Sequence, residues 1–312
     1  MTAPDAFGMI HFNLNTCFSA LPIQLTGYVV DATHIALVET DIDDTQLTGF
    51  ATGGSAVAQV GTLQPFAGKY VIGISGFDFT GLPSTMASSG LLSVGAANSA
   101  VGVTDQVMSS GLVMGDTSAA TCVVDPNGTG RVDVITAFDD PNNALLSAPE
   151  QILYLTGNGS SALVLSFDSF ANAGGSGVAL SQATAPFAFT GTYAFSEFSG
   201  FQSPDGWAGN DATGVMKIAA NGDTTGSLDG YGFSSALFGS NQSVAVDGRF
   251  SGTLAAPDAG TGIGNGYNLV GPLSMQYYMA DSNNGFFVET DSTNILLGRF
   301  LTRSSIAPTS GN

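Results

Sequence analysis

Any chemistry in this chain must come from a short set of side chains. Two carboxylate pairs stand two positions apart, Glu39 with Asp41 and Glu289 with Asp291. Residues two apart on a strand share a face, so each pair could hold its carboxyls about 5 Å apart, the spacing of a retaining glycosidase. Such acids, however, normally flank a substrate from opposite sides, and here both members come from one strand. Acidic residues at the solvated end of a strand explain them better, and the second unit has Ser166 in place of the Glu. Nucleophilic catalysis needs a base beside the nucleophile. The only histidines are His11 and His34, and no G-x-S-x-G elbow occurs. A serine hydrolase working through His34 is the version that remains. Cys17 and Cys122 lack metal-ligand spacing and read as two small buried thiols, with a disulfide as the alternative.

Asp125-Pro126-Asn127-Gly128 and Asp281-Ser282-Asn283-Asn284-Gly285 are rich in oxygen donors, as calcium loops are. An EF-hand needs Glu twelve positions from its start; Thr136 and Ser292 stand there. Both segments serve as turns without a metal, and no cofactor is expected. The Gly-rich run from Gly260 to Gly266 is followed by another β-like run rather than the helix a dinucleotide loop opens. Trp207 is the only tryptophan and sits between Asp205 and Asn210 in a polar, Gly-rich segment. A ring exposed among Asp and Asn suits a sugar platform; a ring folded over a barrel mouth would be a plug. Tyr231, Tyr277, Tyr278, Phe286 and Phe287 read as barrel filling or girdle.

Composition narrows the partners. Among 312 residues there are 25 acidic and 6 basic side chains, a net charge of −19. Nucleic-acid binding needs clustered cations, and the six here are scattered; anionic membranes are disfavoured by the same repulsion. No apolar run approaches the ~18 residues of a membrane span, and no signal peptide is visible at the start. A hydrophobic share of 44% nevertheless requires a packed structure.

The elements that must position these residues follow from a repeat. Tyr28 to Asp41 and Tyr278 to Asp291, 250 positions later, share the frame Y-x-x-D, six residues, then V-E-T-D. A weaker copy, one residue longer, runs from Tyr154 to Asp168. The unit is about 120 residues long: a half repeat over 1–60, complete repeats over 61–183 and 184–304, and a disordered tail over 305–312. Strand-like runs in the second unit fall at 68–77, 90–96, 99–108, 119–125, 130–138, 151–157, 161–168 and 175–182. In the third they fall at 191–198, 214–220, 224–233, 242–254, 261–270, 274–281, 285–291 and 295–303. Asn127-Gly128 and Asn221-Gly222-Asp223 mark hairpins. Eight short antiparallel strands predict an all-β chain of up-and-down barrels of lipocalin or streptavidin size, with β-sandwich repeats as the alternative. The half repeat, 8–16, 23–31, 34–41 and 47–58, supplies only the last four strands. Truncation of a longer array would explain its open edges; packing against the next unit, or a homodimer that completes the barrel, would cover them.

The F-x-G-x-Y start of each unit, its D-G or N-G hairpin and the Y-x-x-D…V-E-T-D end resemble uncharacterised secreted β-repeat proteins of soil bacteria. That resemblance spans nearly the whole chain and implies an array architecture and an extracellular or cell-surface location, with no active site. The expected function is a non-catalytic interaction, adhesion or glycan-binding module. A lipocalin-like carrier of a small hydrophobic ligand and a hydrolase of polysaccharide or ester are the alternatives.

Overall fold

The computed structural model describes residues 3–14, 23–40, 53–59, 65–78, 84–108, 111–138, 150–168, 173–203, 206–209, 211–230, 233–256, 272–290 and 295–303. The chain forms two compact units, residues 1–64 with 156–158, and residues 65–155 with 159–312. In the first, β1 (Met9–Leu14), β2 (Ile23–Val29), β3 (His34–Glu39) and β4 (Gly53–Val57) make an antiparallel sheet in sequence order. These are the four strands the half repeat predicts.

The second unit holds two closed antiparallel barrels. Barrel one comprises β5 (Gly68–Asp78), β6 (Ser84–Val94), β7 (Ser99–Met108), β8 (Gly111–Val124), β9 (Arg131–Phe138), β10 (Glu150–Thr156), β11 (Ser161–Asp168) and β12 (Ala173–Ser181). Each overlaps a run expected from the sequence, although β6 and β8 begin six and eight residues before theirs. Barrel two is built from β13 (Gly191–Ser203), β15 (Ala212–Ile218), β16 (Asp223–Gly230), β17 (Phe233–Asn241), β18 (Arg249–Ala255), β19 (Leu273–Met279), β20 (Asn284–Glu289) and β21 (Ile295–Thr302), closed by pairing of β13 with β21. A short strand, β14 (Gly206–Gly209), hairpins onto the end of β13. One expectation is corrected here. The run 242–254 is a turn at Asp247-Gly248 followed by β18, and the strand before it is β17, whose Ser- and Gly-rich sequence hides its alternation. The run 261–270 lies outside the described residues. No helix among the described residues is long and apolar enough to cross a membrane.

Both repeat motifs close and stitch the barrels. In F-x-G-x-Y the Phe ring lies on the Tyr ring, Phe66 on Tyr70 at 4.6 Å and Phe189 on Tyr193 at 4.9 Å between centroids. The Tyr70 hydroxyl donates to the Gly159 carbonyl between β10 and β11, and the Tyr193 hydroxyl to the Ser282 carbonyl between β19 and β20. The Asp of Y-x-x-D folds that turn: Asp281 accepts the Asn283 and Asn284 amides, and Asp31 accepts that of Thr33.

Barrel two is filled by aromatics. Phe250 stacks on Tyr277 at 4.9 Å, and Phe189 packs against both and against Phe300. The hollow left among Phe195, Leu228, Leu237 and Met275 holds only about 10 Å³. Barrel one retains about 30 Å³ beside Ser88, Thr104 and Gln151, room for a single water.

Candidate functional site

Strand register sets one belt of side chains around the outside of each barrel. In barrel two, Arg249, Tyr278, Phe286, Arg299, Ser196, Thr213 and Asp229 are successive cross-strand partners from β18 through β16. In barrel one, Arg131 pairs with Tyr154 across β9 and β10, and Leu163, Val178, Gly73, Ser89 and Asp105 are successive partners from β11 through β7. The repeat frame makes Leu163 the counterpart of Phe286 and Asp105 that of Asp229, each Asp ending a G-x-x-D (Gly102 to Asp105, Gly226 to Asp229).

The Arg–Tyr–Phe end of barrel two's belt is seated on the Gly–Ser–Asp end of barrel one's. Asp105 is fully buried. Arg249 Nη2 donates to both its carboxylate oxygens, at 2.8 and 2.9 Å, and the Tyr278 hydroxyl donates to Oδ2 at 2.5 Å. The strand itself aims this carboxylate. Register between β7 and β8 shifts between Thr104 and Gln106, and such a bulge redirects the side chain it carries. Opposite it, Gly115 at φ 61° turns its amide onto Asp105 Oδ1, 2.5 Å away. Burial pulls the Arg249 guanidinium down, but Asp105 and Tyr278 outweigh it and hold it above its usual value. Burial first, then the Asp105 charge, pushes the Tyr278 phenol far up. The guanidinium therefore stays charged and the phenol neutral across the ordinary pH range.

Apolar contact surrounds the pair. Val71 and Ala87 of barrel one and Tyr278, Ala280, Phe286 and Val288 of barrel two form one buried cluster. The Phe286 ring lies on Gly73, where a Cβ would stand 2.6 Å from the ring. Apolar burial supplies the stabilisation, because desolvation of a buried ion pair offsets most of its attraction. The pair fixes which strands meet.

The matching end of barrel two's own belt is open. Ser196, Thr213 and Asp229 are exposed and line, with Asp211 and Arg299, a cleft of about 540 Å³. Burial raises the Asp211 carboxyl and lowers the Arg299 guanidinium. Arg299 lies over the Phe286 ring at 5.9 Å, and its Nε has no partner among the described residues.

The sequence-derived site residues are placed differently. Glu289 is fully buried, on the same strand face as Phe287 inside barrel two and opposite Met275; this corrects the solvated strand end. Its partner Asp291, together with Asp41, Asp205 and Asn210, lies outside the described residues, as do the side chains of Glu39 and Trp207. The backbone of Trp207 forms β14, opposite Gln202, so its segment is a hairpin and not a loop. Phe189 packs into the core of barrel two. Tyr277 and Phe287 fill the barrel as expected, whereas Tyr278 and Phe286 point outward and join the barrels. His34 Nδ1 sits 3.0 Å from Asp31 in an exposed turn. Cys122 is buried, which raises its thiol, and Cys17 lies outside the described residues. No cluster of metal-binding groups occurs among the described residues. Asp105, Arg249 and Tyr278 were missed as a set; the signal available was the recurrence of G-x-x-D and of the Arg–Tyr partners once strands are aligned.

No protein-family model matches the chain, and no curated protein does. Among solved structures it is similar to a transferrin binding protein B double mutant from Haemophilus parasuis, with 10% identity and a TM-score of 0.33. That match covers 91% of this chain and 54% of the other, so the chain spans about half its length. It is also similar to isotype 1 transferrin binding protein B from Neisseria meningitidis, with 8% identity and a TM-score of 0.28 over 96% and 89% of the two chains. Kievitone hydratase from Nectria haematococca matches with 8% identity and a TM-score of 0.26 over 76% and 89%. Scores this low carry no inference about activity or ligand.

Proposed function

We propose that the chain is a non-catalytic interaction module of an extracellular or cell-surface β-barrel array, adhesive or glycan-binding. The observation behind this reading is where the polar chemistry goes. The buried arginine, carboxylate and phenol join one barrel to the next, while the barrel interiors are packed. A carrier would need a cavity of about 300 Å³ or more, against hollows of about 10 and 30 Å³. The hairpin bearing Trp207 extends from the same strand, β13, that contributes Ser196 to the open cleft.

Titration with a panel of neutral and acidic oligosaccharides, followed by calorimetry, tests the glycan form of this reading. A saturable change abolished by R299A supports it; a flat signal across the panel removes glycans and leaves protein adhesion. Turnover of aryl glycosides or esters that is lost in E289Q would overturn the non-catalytic reading.

A further inference from the structure

We propose that the open cleft on barrel two is a second docking socket, and that its occupant is the Arg131–Tyr154 face of barrel one in another copy of this chain. The inference assigns this cleft a protein occupant, so a glycan held at Arg299 would compete with it. Three observations converge on it.

Register gives the first. Across β12, β5, β6 and β7 the filled socket reads Val178, Gly73, Ser89, Asp105. Across β21, β13, β15 and β16 the open one reads Arg299, Ser196, Thr213, Asp229. All four line the cleft, so the same position on each barrel is a concavity ending in an outward carboxylate.

The second is a spare plug. Arg131 and Tyr154 are paired across β9 and β10 as Arg249 and Tyr278 are across β18 and β19. Yet Tyr154 is 46% exposed, with Leu165 beside it at 49%. The Arg131 side chain is 40% exposed and rests on its own neighbour, Asp133, at 2.9 Å. A guanidinium held by partly exposed local carboxylates can exchange them for another, since such surface pairs contribute little. In the half repeat Met9 stands opposite Tyr28, so that face lacks the cation and is a poorer plug.

Size complementarity is the third. In the filled joint the Phe286 ring needs the bare backbone of Gly73. In the proposed joint the knob is Leu163 and the floor is Ser196, a smaller side chain over a larger one. The two exchanges compensate, as a conserved separation between docked walls requires.

Plug and socket lie on different barrels, so the contact is heterologous and links copies head to tail, into a ring or an open chain. Net charge of −19 opposes this at low ionic strength. About 0.15 M salt, with a Debye length near 8 Å, screens that repulsion while leaving a close ion pair.

The test is light scattering and sedimentation of the full chain in such a buffer over a hundredfold range of concentration. Mass should rise with concentration. R131E and D229R, both at exposed positions, should each move assembly to at least about tenfold higher concentration. The double variant R131E/D229R, which restores opposite signs at the joint, should assemble again. A wild-type chain that keeps one mass throughout overturns the proposal. So does assembly indifferent to both single variants, the behaviour of association through the half repeat, and so does loss that the double variant fails to restore.

Discussion

Asp105 and Asp229 occupy one register position on two barrels, and one is fully buried while the other is exposed. What separates them is the neighbourhood. Barrel one offers a floor of Gly73 and Ser89, apolar flanks at Val71 and Ala87, and a bulge whose Gly115 amide meets the carboxylate. Barrel two offers Ser196 and Thr213, flanks at Ala194 and Asp211, and regular pairing of Asp229 with Ser234. The difference teaches that the acid alone does not make a joint. A carboxylate becomes buried only where backbone and floor have already been shaped for the partner that neutralises it.

The sharpest way to break the contrast is D105A against D229A. Removing Asp105 leaves the Arg249 guanidinium without its partner, at a cost of about 3–5 kcal/mol. Calorimetry should then show barrel two melting apart from barrel one, whereas D229A should leave the melting profile of the monomer unchanged. Equal effects would mean the two sockets do not differ as described. Y278F comes next. It deletes a hydrogen bond to a buried carboxylate, worth about 1.5–3 kcal/mol, while Y154F should be silent at concentrations where the chain is monomeric. Denaturant unfolding of both variants measures the gap.

G73V puts a side chain where the Phe286 ring lies and should cost about 1–3 kcal/mol by overpacking; S196V should cost less than half of that. Proteolysis in the segment 182–190 between the barrels gives an independent readout of loosened docking. The smallest effect concerns Asp211, whose carboxyl burial raises. A raised folded-state value means stability present below the unfolded value of about 3.8 is lost as pH climbs past it. D211N removes that loss, so at pH 7 it should raise the melting temperature by at most about 2 °C, with no gain near pH 3. A gain that is the same at both pH values would reject burial as its origin.

Much of the fold was legible because period-two alternation and Asn–Gly turns are local signals. The eight strands of barrel one and the four of the half repeat follow from them. Barrel two was harder where β17 puts Ser235 and Gly239 on its inward face with Leu237, and Phe238 on its outward one, so alternation loses contrast. The site was legible only in part. Glu289 was read as a solvated acid because its frame places it at a strand end, and nothing local says that the strand end lies inside a barrel. Tyr278 and Phe286 were sorted with Tyr277 and Phe287, since adjacent aromatics share a composition but face opposite sides of the sheet. Which outer face is covered depends on a second barrel, and no window of sequence contains both.

The seam of each barrel has a mechanical consequence. β5 and β12 pair so that Tyr70 meets Ser181, and β13 and β21 so that Tyr193 meets Thr302. The chain thus enters and leaves each barrel at neighbouring points on one edge. Tension along the chain loads those hydrogen bonds one after another, as in opening a zip, rather than shearing a whole row at once. The barrels should therefore open at low force in single-molecule pulling, in discrete steps of one unit each, so that a tether made of them would lengthen before it detaches; high-force, simultaneous rupture would exclude that behaviour.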